Sequence, residues 1–344
     1  MTFTPTMIKP CRTSKLSPKL KRARVIRNAN NYRETSVIFD LNILSKMREV
    51  INGEISYKNS GLSPLVKELN GLGPICLSPG FALKEASSSI SIEIINSFEM
   101  FLDIYCKSFE DHPGATKNYD ELKSNSSSFE ELDKEEQVAH SLTYIGILKI
   151  QQIEKLQSDL SPIEKFDEYL SYMSSKANVI GMVEAEAAKY VFSDISQIKD
   201  AKMRIISRKI KANFKKGGDS HKKLLERCLN SARDISYYRL TAFQSDVVID
   251  DKAQESWLVT ADEGLVHLTN SMYFVPVEGQ PKAKHVTYVR HKEQSKSQYW
   301  LTCDNTLDEL VIQRKMRGNC FDHSTLKNIL NCINDLENEL LKLY

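Results

Sequence analysis

The pattern of apolar and polar positions in the first third of the chain alternates between strands and helices. β-Branched and aromatic residues predict a short strand over residues 36–40 and a second one over residues 74–78. Apolar residues recur at helical spacing over residues 41–51 and 62–69, and again from about residue 81 to residue 105. This order of elements favours a parallel sheet that is covered by helices.

Helical periodicity dominates the middle of the chain. The predicted helices there cover residues 135–158, a stretch that begins at Ser161 and Pro162, residues 183–214, residues 220–243 and a short run at 263–268. Between the first group of elements and these helices, residues 111–136 are rich in serine and acidic residues. That composition predicts a surface loop or a disordered insertion.

The last third of the chain returns to strands and closes with a helix. Apolar runs predict strands at residues 256–260 and 272–277, and a hairpin or strand pair from residues 284–291 and 297–303. An amphipathic helix over residues 324–343 carries one apolar stripe, which we expect to pack against its own domain. The alternative for this stripe is the seam of a homodimer or a contact with a partner protein.

These elements predict an α/β protein with three layers, α/β/α, around a central and mostly parallel sheet, with a large helical insertion and a C-terminal α/β extension. The predicted segments are a basic flexible arm (1–34), the first half of the α/β domain (35–110), the acidic and serine-rich loop (111–136), the helical insertion (137–219), the second half of the α/β domain (220–278) and the extension with a hairpin and an amphipathic helix (279–344).

Composition narrows the class of protein. The chain has 344 residues, of which 41% are hydrophobic and 27% charged, so it can bury a normal core. No stretch approaches the roughly 20 apolar residues of a membrane-spanning helix, and no apolar run of signal-peptide type starts the chain, which predicts a cytoplasmic protein. The seven cysteines form no C-x-x-C pair, which argues against a disulfide scaffold and against a zinc ribbon.

Positive charge is concentrated in two segments. Residues 1–33 carry nine Lys or Arg and no acid, and residues 199–227 carry eleven Lys or Arg against three acids. Such segregation is typical of proteins that bind polyanions, and the alternative is a solvated tail or helix face. The candidate contacts to nucleic-acid phosphates are Arg22, Arg24, Arg208, Lys209, Lys215 and Lys216.

Acidic residues stand where the predicted strands end. Asp40 ends the first strand, Glu85 lies in the helix after the second, and Asp262 follows the strand at residues 256–260. Asp234 opens a helical stretch that leads back to that strand. Ligands bind beyond the carboxyl ends of parallel strands, so these carboxylates are expected to meet there and to hold Mg²⁺ or Mn²⁺. The alternative for each acid alone is a turn residue or a helix N-cap.

Other chemistries have weaker signals. The seven histidines are scattered, and His285 and His291, six residues apart on a predicted strand, are not expected to bind a metal. No G-x-x-x-x-G-K-[ST] and no G-x-G-x-x-G occurs, which argues against a nucleotide-driven motor and against a dehydrogenase.

Four short motifs resemble those of the PIN-domain nuclease family. They are Val37-Ile-Phe-Asp40-Leu-Asn42, Leu-Lys-Glu85, Ala-Arg-Asp234-Ile and Trp-Leu-Val-Thr260-Ala-Asp262-Glu-Gly-Leu265. The resemblance covers roughly residues 36–105 and 220–277, and it requires a long helical insertion between the second and third acids. Asp246, Asp250, Asp251 and Asp304 are rivals for the third and fourth positions.

The resemblance implies a PIN-like fold and an endonuclease that depends on Mg²⁺ or Mn²⁺. It implies that Asp40, Glu85, Asp234 and Asp262 bind the metal, with Asn42 and Thr260 orienting the acids. It further implies hydrolysis of phosphodiester bonds, with RNA more often the substrate than DNA, in a toxin, defence or RNA-processing role. The alternative is a PIN-like subunit without catalytic activity that binds nucleic acid or serves as a scaffold.

Overall fold

A computed structural model describes residues 3–83, 85–86, 88–108, 110–111, 127–249, 251–318 and 323–344. The chain forms two compact units, each built from three separate stretches. The first, which we call the sheet unit, comprises Met1–Ser126, Tyr237–Asp262 and Tyr273–Thr287. The second, the helical unit, comprises Ser127–Ser236, Glu263–Met272 and Tyr288–Tyr344.

Two sheets contain the strands of the described residues. The strands are β1 (Thr6–Ile8), β2 (Arg33–Phe39), β3 (Pro74–Ser78), β4 (Glu110–Asp111), β5 (Val248–Ile249), β6 (Lys252–Thr260), β7 (Met272–Val277) and β8 (Gln280–Tyr288). The main sheet has the order β1-β6-β2-β3-β4, with β5 paired to β6 and with β7 and β8 forming a separate pair. Neighbours from β6 to β4 are parallel, whereas β1 and β5 run antiparallel to β6. The prediction of an α/β protein with a mostly parallel central sheet is confirmed.

The core of the sheet unit follows from the alternation of side chains along β2 and β6. Val37 and Phe39 of β2 share one buried cluster with Trp257 and Val259 of β6 and with apolar residues of the early helices. Those helices are α1 (Arg22–Asn30), α2 (Leu41–Ile51), α3 (Ser63–Asn70), α4 (Gly80–Leu83) and α5 (Ser88–Tyr105). Ile38, on the opposite face of β2, is also buried, so this strand is covered on both faces, as is usual for parallel strands.

The helical unit contains the remaining long helices. They are α6 (Lys134–Leu156), α7 (Pro162–Ser171), α8 (Met182–Phe192), α9 (Ala201–Phe214), the first part of α10 (His221–Gln244), α11 (Glu263–Ser271), α12 (Gln298–Met316) and α13 (His323–Leu341). Helix α7 begins with Ser161 as its N-cap in a capping box with Glu164, and Pro162 is its first residue. The buried stripe of α13 packs along α6, within its own unit. No described helix is long and apolar enough to cross a membrane.

Residues 3–34 are not the flexible arm that the charge of residues 1–34 predicts. Strand β1 joins the edge of β6, and α1 contacts β2. Lys9 is buried and lies 3.6 Å from Glu255, which also accepts hydrogen bonds from Arg24 and Asn28. Burial lowers the pKa of Lys9 to about 8, although Glu255 opposes the shift. The prediction of a flexible arm was wrong because Glu255, which pairs with this segment, lies more than 200 residues away in the sequence.

Arginine substitutions distinguish a folded arm from a flexible one. We expect Arg24→Ala to lower the free energy of unfolding by about 1–2 kcal/mol, because a half-exposed arginine leaves the buried Glu255 carboxylate. Arg27→Ala, at an exposed position of the same helix, is the matched control and is expected to change it by less than about 0.5 kcal/mol. Urea denaturation measures both values. If both substitutions change the free energy of unfolding by equal and negligible amounts, the segment is a flexible arm after all.

Four further expectations need correction. Residues 297–303 form the start of α12 rather than a strand, because Trp300, Cys303 and Leu307 are the buried positions and have helical spacing. The helix expected at 183–214 is interrupted between α8 and α9, and the one expected at 81–105 is divided into α4 and α5. The helical part of the chain is also larger than an insertion at 137–219, since α12 and α13 belong to it. Most of the predicted acidic loop, residues 112–126, lies outside the described residues.

Candidate functional site

Asp40 lies at the carboxyl end of β2, the central strand of the main sheet. Its backbone N–H donates to Val259 O at 3.0 Å and so extends the pairing of β2 with β6 by one residue. The backbone then turns, and Asp40 occupies the N-cap position of α2. Its side chain is buried, with 6% of the residue exposed. A carboxylate is therefore held at the edge of a parallel sheet, where ligands of such folds bind.

Hydrogen bonds fix the Asp40 carboxylate in one orientation. Asn42 Nδ2 donates to Asp40 Oδ2 at 2.6 Å, and Thr260 Oγ1 donates to the same oxygen. The Asn42 amide is itself oriented, because its Oδ1 accepts from the backbone N–H of Ala261 at 3.1 Å. The Thr260 hydroxyl accepts from the backbone N–H of Asp262 at 3.0 Å. The ends of β2 and β6 are thus joined through side chains that are 218 to 220 positions apart.

The electrostatics of this site favour a positive charge or a proton. Burial raises the pKa of Asp40 to about 6, and the nearby Asp262 carboxylate adds to the rise. Hydrogen bonds from Thr260 and Asn42 act in the opposite direction and stabilise the ionised form. At neutral pH the site therefore holds an ionised Asp40 next to Asp262. Like charges that lie near each other repel, and a cation between the two acids would remove this cost.

Glu85 belongs to the same edge of the sheet by its position in the chain. It follows α4, which itself follows β3, and its backbone N–H donates to Ala82 O at 3.1 Å. Strand β3 is the parallel neighbour of β2, with Ser78 opposite Ile38. Glu85 is half-buried.

Asp234 has a different setting from the one expected. It lies in the interior of α10 rather than at the start of a helix, and it belongs to the helical unit. Among the described residues, no group of three or more His, Cys, Asp or Glu side chains is placed to hold a metal ion. Asp40 and Asp262 of the expected cluster interact electrostatically with each other.

Two of the rival acids have other partners. Asp246 pairs with Arg33 at 2.6 Å and with Lys284 at 3.7 Å. Asp304 lies in α12 and pairs with Arg290 at 2.7 Å, so it does not follow a strand. Asp251 has a positive φ of 60° in the turn before β6. Asp250 lies outside the described residues.

The basic residues expected to bind nucleic acid differ in how much of their charge is compensated. Lys209 pairs with Glu263 at 2.6 Å, Lys215 pairs with Glu154, and Lys216 Nζ donates to Asn213 at 3.3 Å. Arg22 and Arg208 are exposed.

Sequence reasoning missed one partner of the basic N-terminal segment, the buried acid Glu255. An acidic residue inside an apolar strand, as in Gln254-Glu255-Ser256-Trp257, is the signal that would have indicated a buried ion pair. The aromatic pair Tyr299 and Trp300 was also misassigned, to a strand.

Comparisons of the chain with models of known protein families, with curated proteins and with solved structures gave no match.

Proposed function

We propose that the protein is a metal-dependent nuclease that hydrolyses phosphodiester bonds, with RNA as its substrate, and that its sheet unit is PIN-like with three layers, α/β/α. The observation that supports this most is the buried Asp40 carboxylate at the carboxyl edge of the parallel sheet, oriented by Thr260 and Asn42 and adjacent to Asp262. A buried, oriented carboxylate beside a second acid costs stability unless a cation or a proton offsets its charge, and such costs are characteristic of functional sites.

The residues present fit a hard divalent cation. Carboxylate oxygens are the ligands that Mg²⁺ and Mn²⁺ prefer. Both side-chain hydrogen bonds to Asp40 end on Oδ2, so Oδ1 keeps lone pairs for a cation. Asp40 and Asp262 would hold the ion, while Glu85 and Asp234, which is in the other unit, stay predictions. When bound, a divalent cation supplies Lewis-acid chemistry that activates water and offsets negative charge on the phosphate.

The protein's own side chains would keep this site in order. Thr260 and Asn42 restrict the Asp40 side chain to one orientation and favour its ionised form. Asp262, tied to Thr260 through its backbone N–H, brings the second negative charge. Because both acids repel a phosphodiester, the substrate backbone must be held by cations elsewhere, for which Arg22 and Arg208 are exposed.

The test is cleavage of labelled single-stranded RNA and DNA by the full-length protein, with Mn²⁺, with Mg²⁺ or with EDTA. We expect RNA cleavage that EDTA abolishes. Asp262→Asn is expected to slow it by about a hundredfold or more, because one of two adjacent carboxylates is lost. Asp103→Asn, at an exposed position of α5 in the same unit, is the matched control and is expected to cleave normally.

The other outcomes identify other functions. Tight binding of RNA without cleavage would support a nucleic-acid-binding or scaffolding subunit, an alternative favoured by the lack of a group of three metal ligands among the described residues. Hydrolysis of small phosphoesters with intact RNA would indicate a phosphatase.

Binding of the RNA backbone has a separate test. Arg208 lies on one stripe of α9 with Arg204 and Lys211, at spacings of four and three residues. We expect Arg208→Ala to weaken RNA binding severalfold and to reduce the slope of log K against log salt by about 0.7, the loss of one phosphate contact to a single strand. Lys315→Ala, exposed on α12, serves as the control, and fluorescence anisotropy at several salt concentrations gives both slopes. An unchanged slope for Arg208→Ala would place the phosphate contacts elsewhere.

A further inference from the structure

A cavity of about 410 Å³ lies in the helical unit. Its walls come from the amino-terminal ends of α7 and α12 and from the segment between α8 and α9. All of its lining residues belong to the helical unit, whereas Asp40 and Asp262 belong to the sheet unit. The volume falls within the range of small-molecule sites in proteins.

Apolar side chains form most of the cavity wall, and its aromatic part is held rigidly. The apolar lining residues are Pro162, Ile163, Ile198, Met203, Tyr299 and Trp300. The Trp300 ring packs edge-on against Tyr190, with 4.9 Å between centroids, and the guanidinium of Arg290 lies 5.0 Å from its centroid. Gln294, which also lines the cavity, donates to the Tyr190 hydroxyl at 3.0 Å. A wall fixed in this way loses little entropy when a ligand binds.

The charges of the cavity are of one sign. Two carboxylates, Asp194 and Glu293, line it, and no Lys or Arg does. The Glu293 carboxylate accepts the backbone N–H groups of Lys199 and Asp200, and that of Asp194 accepts the N–H and hydroxyl of Ser196. These hydrogen bonds lower the pKa of both acids, so both are ionised at neutral pH. Among the described residues, neither forms an ion pair with Lys or Arg.

We propose that this cavity binds a small organic cation, an amine carried on an apolar body of about the size of a bicyclic aromatic ring system. The apolar wall and the rigid Trp300 ring receive the body, and Asp194 and Glu293 attract the ammonium group. An anion of the same size is expected to bind more weakly because it would face two carboxylates. The site is independent of the proposed nuclease function.

Three probes of nearly equal size and different charge test the proposal. They are 2-naphthylmethylamine, 2-naphthylmethanol and 2-naphthoate, titrated into the full-length protein by isothermal titration calorimetry at pH 7. We expect the amine to bind at least about tenfold more tightly than the carboxylate, with the alcohol between them, and added salt to narrow the difference. Equal affinities, or no saturable binding of the amine up to about 1 mM, would overturn the proposal.

Variants locate the binding. The double variant Asp194→Asn, Glu293→Gln removes both charges, keeps the acceptor for Ser196 and one of the two Glu293 acceptors, and is expected to bind the amine no more tightly than the alcohol. Gln197→Trp, at an exposed lining position, is expected to weaken all three probes by filling the cavity. Glu309→Gln, an exposed acid of α12, is the matched control and should leave the amine affinity within about twofold of the parent. An amine affinity that survives both the double variant and Gln197→Trp would place binding elsewhere and refute the site.

Discussion

Replacing Asp40 with asparagine is expected to lower the rate of metal-dependent RNA cleavage by about a thousandfold, which corresponds to several kcal/mol of lost transition-state stabilisation. The amide preserves the shape of the side chain but loses its negative charge. The same substitution is expected to raise the melting temperature at pH 7–8. Folding raises the pKa of Asp40 from 3.8 to about 6, so the folded protein binds this proton more tightly than the unfolded chain does. The folded protein therefore loses stability as the pH rises from about 4 to about 6, and this loss is fully present at pH 7–8. A variant that is folded, more stable and inactive separates loss of chemistry from loss of structure.

The pH dependence of kcat/KM in the wild-type protein also tests the role of Asp40. If the ionised Asp40 is required, kcat/KM should rise with pH up to about 6 and then level off. Thr260→Val removes a hydrogen bond that lowers the pKa of Asp40, so the rise should move to higher pH. Thr306→Val, which removes a hydroxyl on α12, is the control and should leave the profile unchanged. A shift to lower pH in Thr260→Val would contradict the assigned role of the hydroxyl.

The second large effect is expected on stability, at a buried group of charges in the helical unit. Arg290 donates two hydrogen bonds to Glu186, which is fully buried, and pairs with Asp304 at 2.7 Å. Lys189, also fully buried, lies 3.5 Å from Glu186 and pairs with Asp304. We expect Arg290→Met to lower the free energy of unfolding by about 3–5 kcal/mol, because it leaves a buried carboxylate without its main partner.

Urea denaturation at pH 7 measures this effect. Lys222→Met is the matched control, since the Lys222 side chain is 77% exposed and lies 4.0 Å from Glu226, a geometry worth less than about 1 kcal/mol. Adding Glu186→Gln to Arg290→Met should recover part of the loss, because it removes the charge that was left unpaired. Similar losses for Arg290→Met and Lys222→Met would show that burial of the cluster has no energetic consequence.

Elements defined by local patterns could be predicted from the sequence. The strand at residues 74–78, the helix at 41–51 and the strand at 272–277 have the expected bounds, because each is set by a short run of apolar residues between clear end signals. Residues 297–303 were misassigned because a window of seven residues around Trp300 does not distinguish a strand from the first two turns of a helix.

Features that depend on distant residues could not be predicted. Glu255, 231 positions after Arg24, pairs with Arg24 and Lys9 of the folded N-terminal segment. The edge position of Asp40 follows from the pattern of one strand, whereas its hydrogen bond with Thr260 follows only from the resemblance of the motifs, because the residue pattern does not align the two parallel strands in register. The helix predicted over residues 220–243 contains Asp234, but that pattern does not reveal that Asp234 belongs to the other unit.

The order of strands in the main sheet has a consequence for synthesis of the protein. Strand β2 leaves the ribosome early, but β6, which pairs with one edge of β2, follows about 210 residues later. At about 5–20 residues per second, this edge of β2 stays unpaired for roughly 10–40 s during synthesis. An unpaired edge of this kind is a template for aggregation, so chaperones that bind nascent chains should determine the yield of the native protein.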